Sequence, residues 1–268
     1  MNAASNSETP ARTVGRAFDL IRLIASSRTR SLRLVEIAAL LEMDKSTAHR
    51  LLQRMVMERA LVQERDRRYV LGPLLYELGL SALPEWNVAQ AAQPALRSLS
   101  QISGDMSFLV VRSGLDAVCQ DRIAGNFTIQ TMTQGVGDRH PLGVGAGGIA
   151  ILSALSADER CRVLDLISPL LPRYRLTRKI LEERANIVAE RGYSVDEGSA
   201  ALNITAIGCV LRSPSGSPMA AIFVASLSDR MNAERRIQIV DVLKQSAKKI
   251  ERAMQLDGRS SRGAEQTG

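Results

Sequence analysis

The sequence predicts an α+β protein built as two domains. Three observations carry this. A length of 268 residues is enough for about two domains, each burying its own core. Apolar residues recur at helical spacing through the first quarter of the chain. Past residue 104 they give way to short apolar runs broken by glycine, then helices, then a hairpin. The charge is also uneven: the chain carries a net +7, and between Arg12 and Gly72 there are 13 Lys/Arg against 7 Asp/Glu. A basic segment of this kind is the electrostatic footprint of a polyanion partner, although a solvated surface without any partner would show the same excess.

Composition excludes several classes. With 45% apolar residues the chain can bury a core, so wholesale disorder is excluded. Cys119, Cys161 and Cys209 form no C-x-x-C pair, which argues against a disulfide framework or structural zinc and for a reducing compartment. The leader MNAASNSETPAR has no apolar core region of a signal peptide, and no run is long and apolar enough to span a bilayer. The expectation is a cytoplasmic protein with no membrane partner.

Residues 1–11 read as a disordered leader and 12–73 as the first domain. Val14, Ala17, Phe18, Ile21, Ile24 and Ala25 form one helical stripe, with Thr13 placed to cap it. Leu34, Ile37, Ala38 and Leu41 mark a second short helix. After Glu42-Met43-Asp44-Lys45 a third helix, Lys45–Glu58, places Ala48, Leu51, Leu52 and Met55 inward, with Asp44 as N-cap. Two short helices joined by such a turn make a helix-turn-helix.

The opposite face of the third helix carries Ser46, His49, Arg50 and Gln53, flanked by Thr47 and Arg54. Arg pairs bidentately with guanine, Gln with adenine, and hydroxyls hold the backbone. Lys45, Ser46 and Thr47 sit at the helix N-terminus, where free amides favour a phosphate. An ordinary solvated face would look similar. The next segment decides between them. Two short strands, 61–64 and 69–71, flank Arg65-Asp66-Arg67-Arg68, a hairpin tipped with Arg65, Arg67 and Arg68 that reads as a wing lying on a phosphate backbone. Gly72-Pro73 closes the domain. Double-stranded DNA is therefore the favoured partner of a winged helix-turn-helix.

The run LRLVEIAALLEMDKSTAHRLLQRM…RRYVLGPLLYELG resembles the DNA-binding end of the IclR (isocitrate lyase regulator) family of bacterial transcription factors. The likeness continues through GVGDRHPLGVGAGGIAIL and RGYSVDEGSAALNITAIGCVLRSPSGSPMAAIFVAS and covers nearly residues 12–256. The block Lys45-Ser46-Thr47-x-x-Arg50 with Tyr69-x-Leu71-Gly72 is the most specific part. Two positions depart from the family pattern. Arg33 stands where a small hydroxyl residue usually opens the second helix, which removes a cap worth roughly 1 kcal/mol. Ala60 stands where a glycine usually precedes the wing. Neither lies on the reading face.

Residues 74–103 read as two linker helices, one from Leu74 through Leu80 and one from about Glu85 carrying Val88, Ala92, Leu96 and Leu99. They suit either a stiff transmitter or a plain spacer. The resemblance implies that this region and the first helix contribute to a homodimer, within a dimer of dimers. In 104–256, strands are expected at 106–111, 117–120, 127–132, 204–212 and 219–226. Helices are expected at 147–155, 158–167, 177–191 and 232–255, the last with Ile237, Val240, Leu243, Ala247 and Ile250 inward. That order implies an antiparallel α+β domain, and the resemblance implies a GAF-like sensor fold. Residues 257–268 read as a disordered tail.

Gly143 to Gly148 spell G-x-G-x-x-G. A dinucleotide site would need a strand directly before the first glycine, inside a βαβ unit; here His140-Pro141 precede it and read as a turn. A glycine-rich loop opening a helix, whose amides accept a carboxylate, is the better account. Carried over position by position, the family's effector pocket falls on Ile129, Met132, Ala146, Gly147, Asp196, Ala206, Phe223 and Ala225. Relatives that sense small charged metabolites tend to carry Cys or Ser at the last three positions. Ala206, Phe223 and Ala225 instead suit an aromatic or largely apolar organic acid. Ile129, Met132 and Phe223 would equally be core residues of any α+β domain. No catalytic motif surrounds His49 or His140, the cysteines read as small packed side chains, and no cofactor is expected. The rival reading is a small-molecule-metabolising enzyme with an accessory helical domain; a third is a sequence-independent DNA-packaging protein.

Overall fold

The computed structural model describes residues 10–27, 29–81, 88–127 and 134–265, and of residues 10, 11, 26 and 257–265 the backbone alone. The chain divides into two compact units, Met1–Leu83 and Pro84–Gly268.

The first unit comprises α1 (Pro10–Ser26), β1 (Leu32–Arg33), α2 (Leu34–Leu40), α3 (Lys45–Met57), β2 (Leu61–Gln63), β3 (Arg68–Leu71) and α4 (Pro73–Ser81). Leu20, Ile24, Ile37, Leu52, Met55, Leu61 and Tyr69 form its core. α1 differs from expectation at its start and in its phase. It begins at Pro10, ahead of Thr13, because proline lacks an N–H and suits a first helical turn. Leu20 and Ile24 are its buried residues, whereas Val14 and Phe18 are more than half exposed. β1 is too short to show periodicity in sequence; it pairs with β3 through Leu32–Tyr69 and Arg33–Arg68. The result is a three-stranded antiparallel sheet in the order β1-β3-β2.

Neither departure from the family pattern disturbs the helix-turn-helix. Arg33 stands at the N-cap of α2, and its backbone N–H donates to the Glu36 carboxylate at 2.6 Å, the return half of a capping box. Left-handed backbone falls on Arg59 (φ 59°), so Ala60 does not carry that strain. The close approach is made instead by Gly72, whose N–H donates to the Ala60 carbonyl at 2.8 Å. A Cβ there would stand 2.2 Å from the Arg59 carbonyl oxygen. Gly72→Ala is therefore expected to destabilise the first unit by about 3 kcal/mol. Calorimetry of the full chain reads this as a fall in that unit's melting temperature, and an unmoved transition would refute it.

The second unit comprises α5 (Val88–Ser103), β4 (Met106–Ser113), β5 (Asp116–Ile123), β6 (Arg139–Pro141), α6 (Gly145–Ser153), α7 (Ala157–Ile167), a 3-10 turn (Ser168–Tyr174), α8 (Arg178–Arg191), β7 (Ser194–Glu197), β8 (Ile204–Arg212), β9 (Pro218–Leu227) and α9 (Ala233–Glu265). Its sheet runs β6-β5-β4-β9-β8-β7, with every neighbour antiparallel. Phe108, Val110, Ala221, Phe223 and Ala225 face α6, α7 and α8. Leu109, Ala220, Ile222 and Val224 face α5 and α9. Burial on both sides explains why β4 and β9 read as continuous apolar runs rather than alternating ones.

α5 is part of this core and not only a connection: Val88, Ala92, Leu96 and Leu99 are all buried. Hydroxyls fasten it to the sheet. Ser107 Oγ donates to the Leu96 carbonyl at 2.8 Å, and Ser100 Oγ donates to the Ile123 carbonyl at 2.8 Å. The strand expected over 127–132 lies, apart from Phe127, outside the described residues. β6 and β7 escape the sequence reading because each is only three or four residues long. On α9 the buried stripe runs Ile239, Val240, Leu243, Ala247, Ile250 and Met254, leaving Ile237 65% exposed, and the helix continues past 255 to Glu265.

Candidate functional site

Two surfaces concentrate chemistry, one in each unit. On α3, Asp44 is the N-cap: its carboxylate accepts from the Thr47 N–H at 2.8 Å and from Ser46 Oγ at 2.6 Å. These bonds, the Ser46 hydroxyl's first and those from Thr47 next, hold Asp44 well below the usual carboxylate range. Thr47 is thereby half-buried, while Lys45, Ser46, His49, Arg50, Gln53 and Arg54 are exposed along one side. Arg54 forms an ion pair with Glu58 one turn on. Tyr69, buried on β3, is pushed up in pKa by that burial, against the opposing hydrogen bond to the Gln53 side chain.

The hairpin tip is closed by Glu64 N–H donating to the Arg68 carbonyl at 2.8 Å, with Arg67 in the left-handed region (φ 64°). Arg65 and Arg67 project from it, exposed. Arg68 does not. Its guanidinium turns back to Glu36 at 3.7 Å, Asp66 at 3.3 Å and the Ser31 carbonyl at 3.4 Å, so it pins the wing to α2 rather than standing free. Sequence reasoning also passed over α1, whose Arg12 and Arg16 line a cleft with Arg50 and Arg54. No motif announces them; only the tertiary fold brings these residues to one cleft, which Glu42 and Asp44 also line.

In the second unit a cavity opens between α6 and one face of the sheet. Ala146, Gly147, Asp196, Ala206, Phe223 and Ala225 all line it; Ile129 and Met132 lie outside the described residues. Phe223 is stacked on buried Phe108, with ring centroids 4.6 Å apart and planes within 7°. Val144 is the N-cap of α6 and offers no capping side chain, so the first-turn amides bordering the cavity gain no acceptor from it. Among the described residues Gly145 N–H alone of these reaches a side chain, Ser199 Oγ at 3.3 Å. Asp196 is buried, and its oxygens are engaged by Arg184 at 3.3 Å, by the Ser199 hydroxyl, and by the amides of Ser199 and Ala200 at 3.2 and 3.4 Å.

Against expectation, His140 and Pro141 belong to a strand, β6, immediately before the glycine run. The dinucleotide reading still fails, because β6 pairs antiparallel with β5 and no βαβ crossover exists for it. Two further wall residues, Gln134 and His140, carry polar groups that the sequence reading did not place in the pocket. Of the cysteines, Cys119 and Cys209 are packed inside, and burial pushes their thiols up to about 12 and about 11. Cys161 is exposed on α7, where Arg178 Nη2 donates to its Sγ at 3.1 Å. Among the described residues no group of three His, Cys, Asp or Glu side chains gathers where a metal ion could be held, and no helix is long and apolar enough to cross a membrane.

Comparison with known proteins bears on both units. Residues 80–252 match the family model described as the bacterial transcriptional regulator IclR C-terminal domain, and residues 13–65 match the IclR helix-turn-helix domain. The chain belongs to the IclR family. Among curated IclR-family relatives, the HTH-type transcriptional regulator KipR of Bacillus subtilis is 25% identical, over 90% of this chain and 96% of its own. The transcriptional repressor IclR of Escherichia coli is 24% identical, over 89% and 88%. A solved IclR homologue from Microbacterium hydrocarbonoxydans, crystallised with 4-hydroxybenzoate, superposes with a TM-score of 0.72 at 22% identity, covering 92% of this chain and 99% of the other. This chain is thus an IclR-family transcriptional regulator with an N-terminal helix-turn-helix and a C-terminal α+β domain.

Proposed function

We propose that this IclR-family regulator reads an operator of a catabolic operon through α3 and its wing, and that a small, largely apolar aromatic acid bound in the second unit modulates that reading. Ser46, His49, Arg50 and Gln53 would face base edges in the major groove, with Lys45, Thr47, Arg54, Arg65 and Arg67 on phosphates. Arg12 and Arg16 extend the cationic strip beside Arg50 and Arg54. Arg68 serves by holding the wing.

The observation that carries the ligand class is the stacked Phe108–Phe223 pair. Phe223, backed by Phe108, presents an aromatic surface to the cavity beside Ala206 and Ala225. A planar ring packs on such a wall, and its carboxylate is met by the first-turn amides of α6. Exposed apolar side chains on the first unit, Val14 and Phe18 of α1 and Tyr76, Leu78 and Leu80 of α4, support a homodimer through these helices, and a dimer of dimers is the assembly we propose. The enzyme reading finds no support in the cavity, where the carboxylate of Asp196 is already engaged by Arg184, Ser199 and Ala200.

The test is a selected operator. Duplexes enriched from a random pool by the full chain should share one sequence, and an aromatic acid should change their affinity by roughly 5- to 150-fold. Enrichment without a common sequence would favour a packaging role. Turnover of the acid would favour an enzyme.

A further inference from the structure

The cavity has two polar ends separated by an apolar middle, and only one of them has hydrogen-bonding capacity to spare. At one edge of the sheet, β7 supplies Asp196, which is fully engaged within the protein. At the opposite edge, β6 supplies His140, beside Gln134. Between them lie Val110, Ala206, Phe223 and Ala225.

The His140 ring is held in place on two sides. Its backbone is in register with Ala117 of β5, and its ring lies 5.7 Å from that of Tyr174 at 45°. Its Nδ1 is buried and has no hydrogen-bond partner among the described residues. An orphan nitrogen of this kind in a native interior calls for an explanation, because desolvating a polar atom without a partner costs free energy. Burial also lowers the pKa of His140 against the opposing fields of Asp138, Asp196 and Asp116. A neutral imidazole carries one donor and one acceptor.

We infer that His140 is a specificity-determining residue of the effector site, its Nδ1 pairing with a polar substituent borne by the ligand's ring away from the carboxylate. The ligand class narrows from aromatic acids in general to ring-hydroxylated or similarly substituted ones. A bare ring would leave Nδ1 unpaired in the complex as well, while a hydroxyl can donate to it or accept from it. Discrimination of this type is strong, because a buried polar group rejects the analogue that lacks its partner. The inference rests on the aromatic-acid reading given above.

Calorimetric titration of the full chain with benzoate and its 2-, 3- and 4-hydroxy derivatives tests it. At least one hydroxy isomer should bind about tenfold or more tightly than benzoate. In His140→Phe that preference should collapse, with benzoate affinity held within about threefold of the wild type. His140→Asn, which keeps a hydrogen-bonding atom near the Nδ1 position, should retain part of the preference; it also serves as the informative variant if His140→Phe does not melt cooperatively. Wild-type protein that binds all four acids alike, or a preference that survives in His140→Phe, overturns the assignment of His140 while leaving the aromatic-acid reading intact. If none of the four binds, the aromatic-acid reading falls, and this inference falls with it.

Discussion

Arg50→Ala is expected to weaken binding to the selected operator by about 10- to 100-fold, the value of one bidentate base contact, and to relax the base preference at a single position. The expectation follows from where the residue stands. Arg50 is exposed on α3, the first turn of that helix is capped by Asp44, and its guanidinium has no ion pair among the described residues. Arg65 on the wing should behave differently. Its loss should weaken binding on every sequence alike and reduce the salt slope by about one. Fluorescence anisotropy on selected and scrambled duplexes across a salt series separates the two. Equal losses of Arg50→Ala on both duplexes would remove it from base reading.

Gly147→Ala is expected to abolish the response to ligand while leaving operator affinity unchanged. A Cβ at this position would stand 2.5 Å from Val110 Cγ2 and 3.1 Å from Phe223 Cδ1. Val110 is buried and β-branched, so it yields poorly. The gain in helix propensity of about 1 kcal/mol is offset by overpacking of about 1–3 kcal/mol, so the unit should still fold. The added methyl enters the cavity where the aromatic wall meets the start of α6, the place at which a ring with a carboxylate must seat. Ligand affinity should fall by about tenfold or more. Titration calorimetry alongside anisotropy checks both halves; retained ligand affinity would show that the cavity floor is not the binding surface.

Much of the proposed reading surface is legible in the sequence. The spacing of Ala48, Leu52 and Met55 fixes which side of α3 is buried, and that alone turns Ser46, His49, Arg50 and Gln53 outward. The cap at Asp44 follows from residue type. What stays hidden is any fact set by a partner distant in the chain. Arg68 reads as a free wing cation until Glu36 and Ser31 are brought beside it. Arg12 and Arg16 join the basic strip only through the tertiary fold. The phase of α1 is misread because Val14 and Phe18 are as apolar as Leu20 and Ile24, and periodicity cannot tell a core stripe from an exposed one. In the second unit, six of the family-derived pocket positions converge on one cavity, a convergence that local pattern could not supply. His140 escapes because a three-residue strand carries no period, and proline beside it reads as a turn.

The double-sided burial of the sheet has a mechanical consequence. Strand β4 presents Phe108 toward the cavity layer and Leu109 toward α5, so both layers are gripped by one backbone. Ser107, on the same strand, is bolted to α5 through the Leu96 carbonyl. An interior packed at this density deforms little. The backbone that carries Phe108 on the cavity side is therefore the one that holds α5 through Leu109 and Ser107, so neither layer is fixed independently of the other.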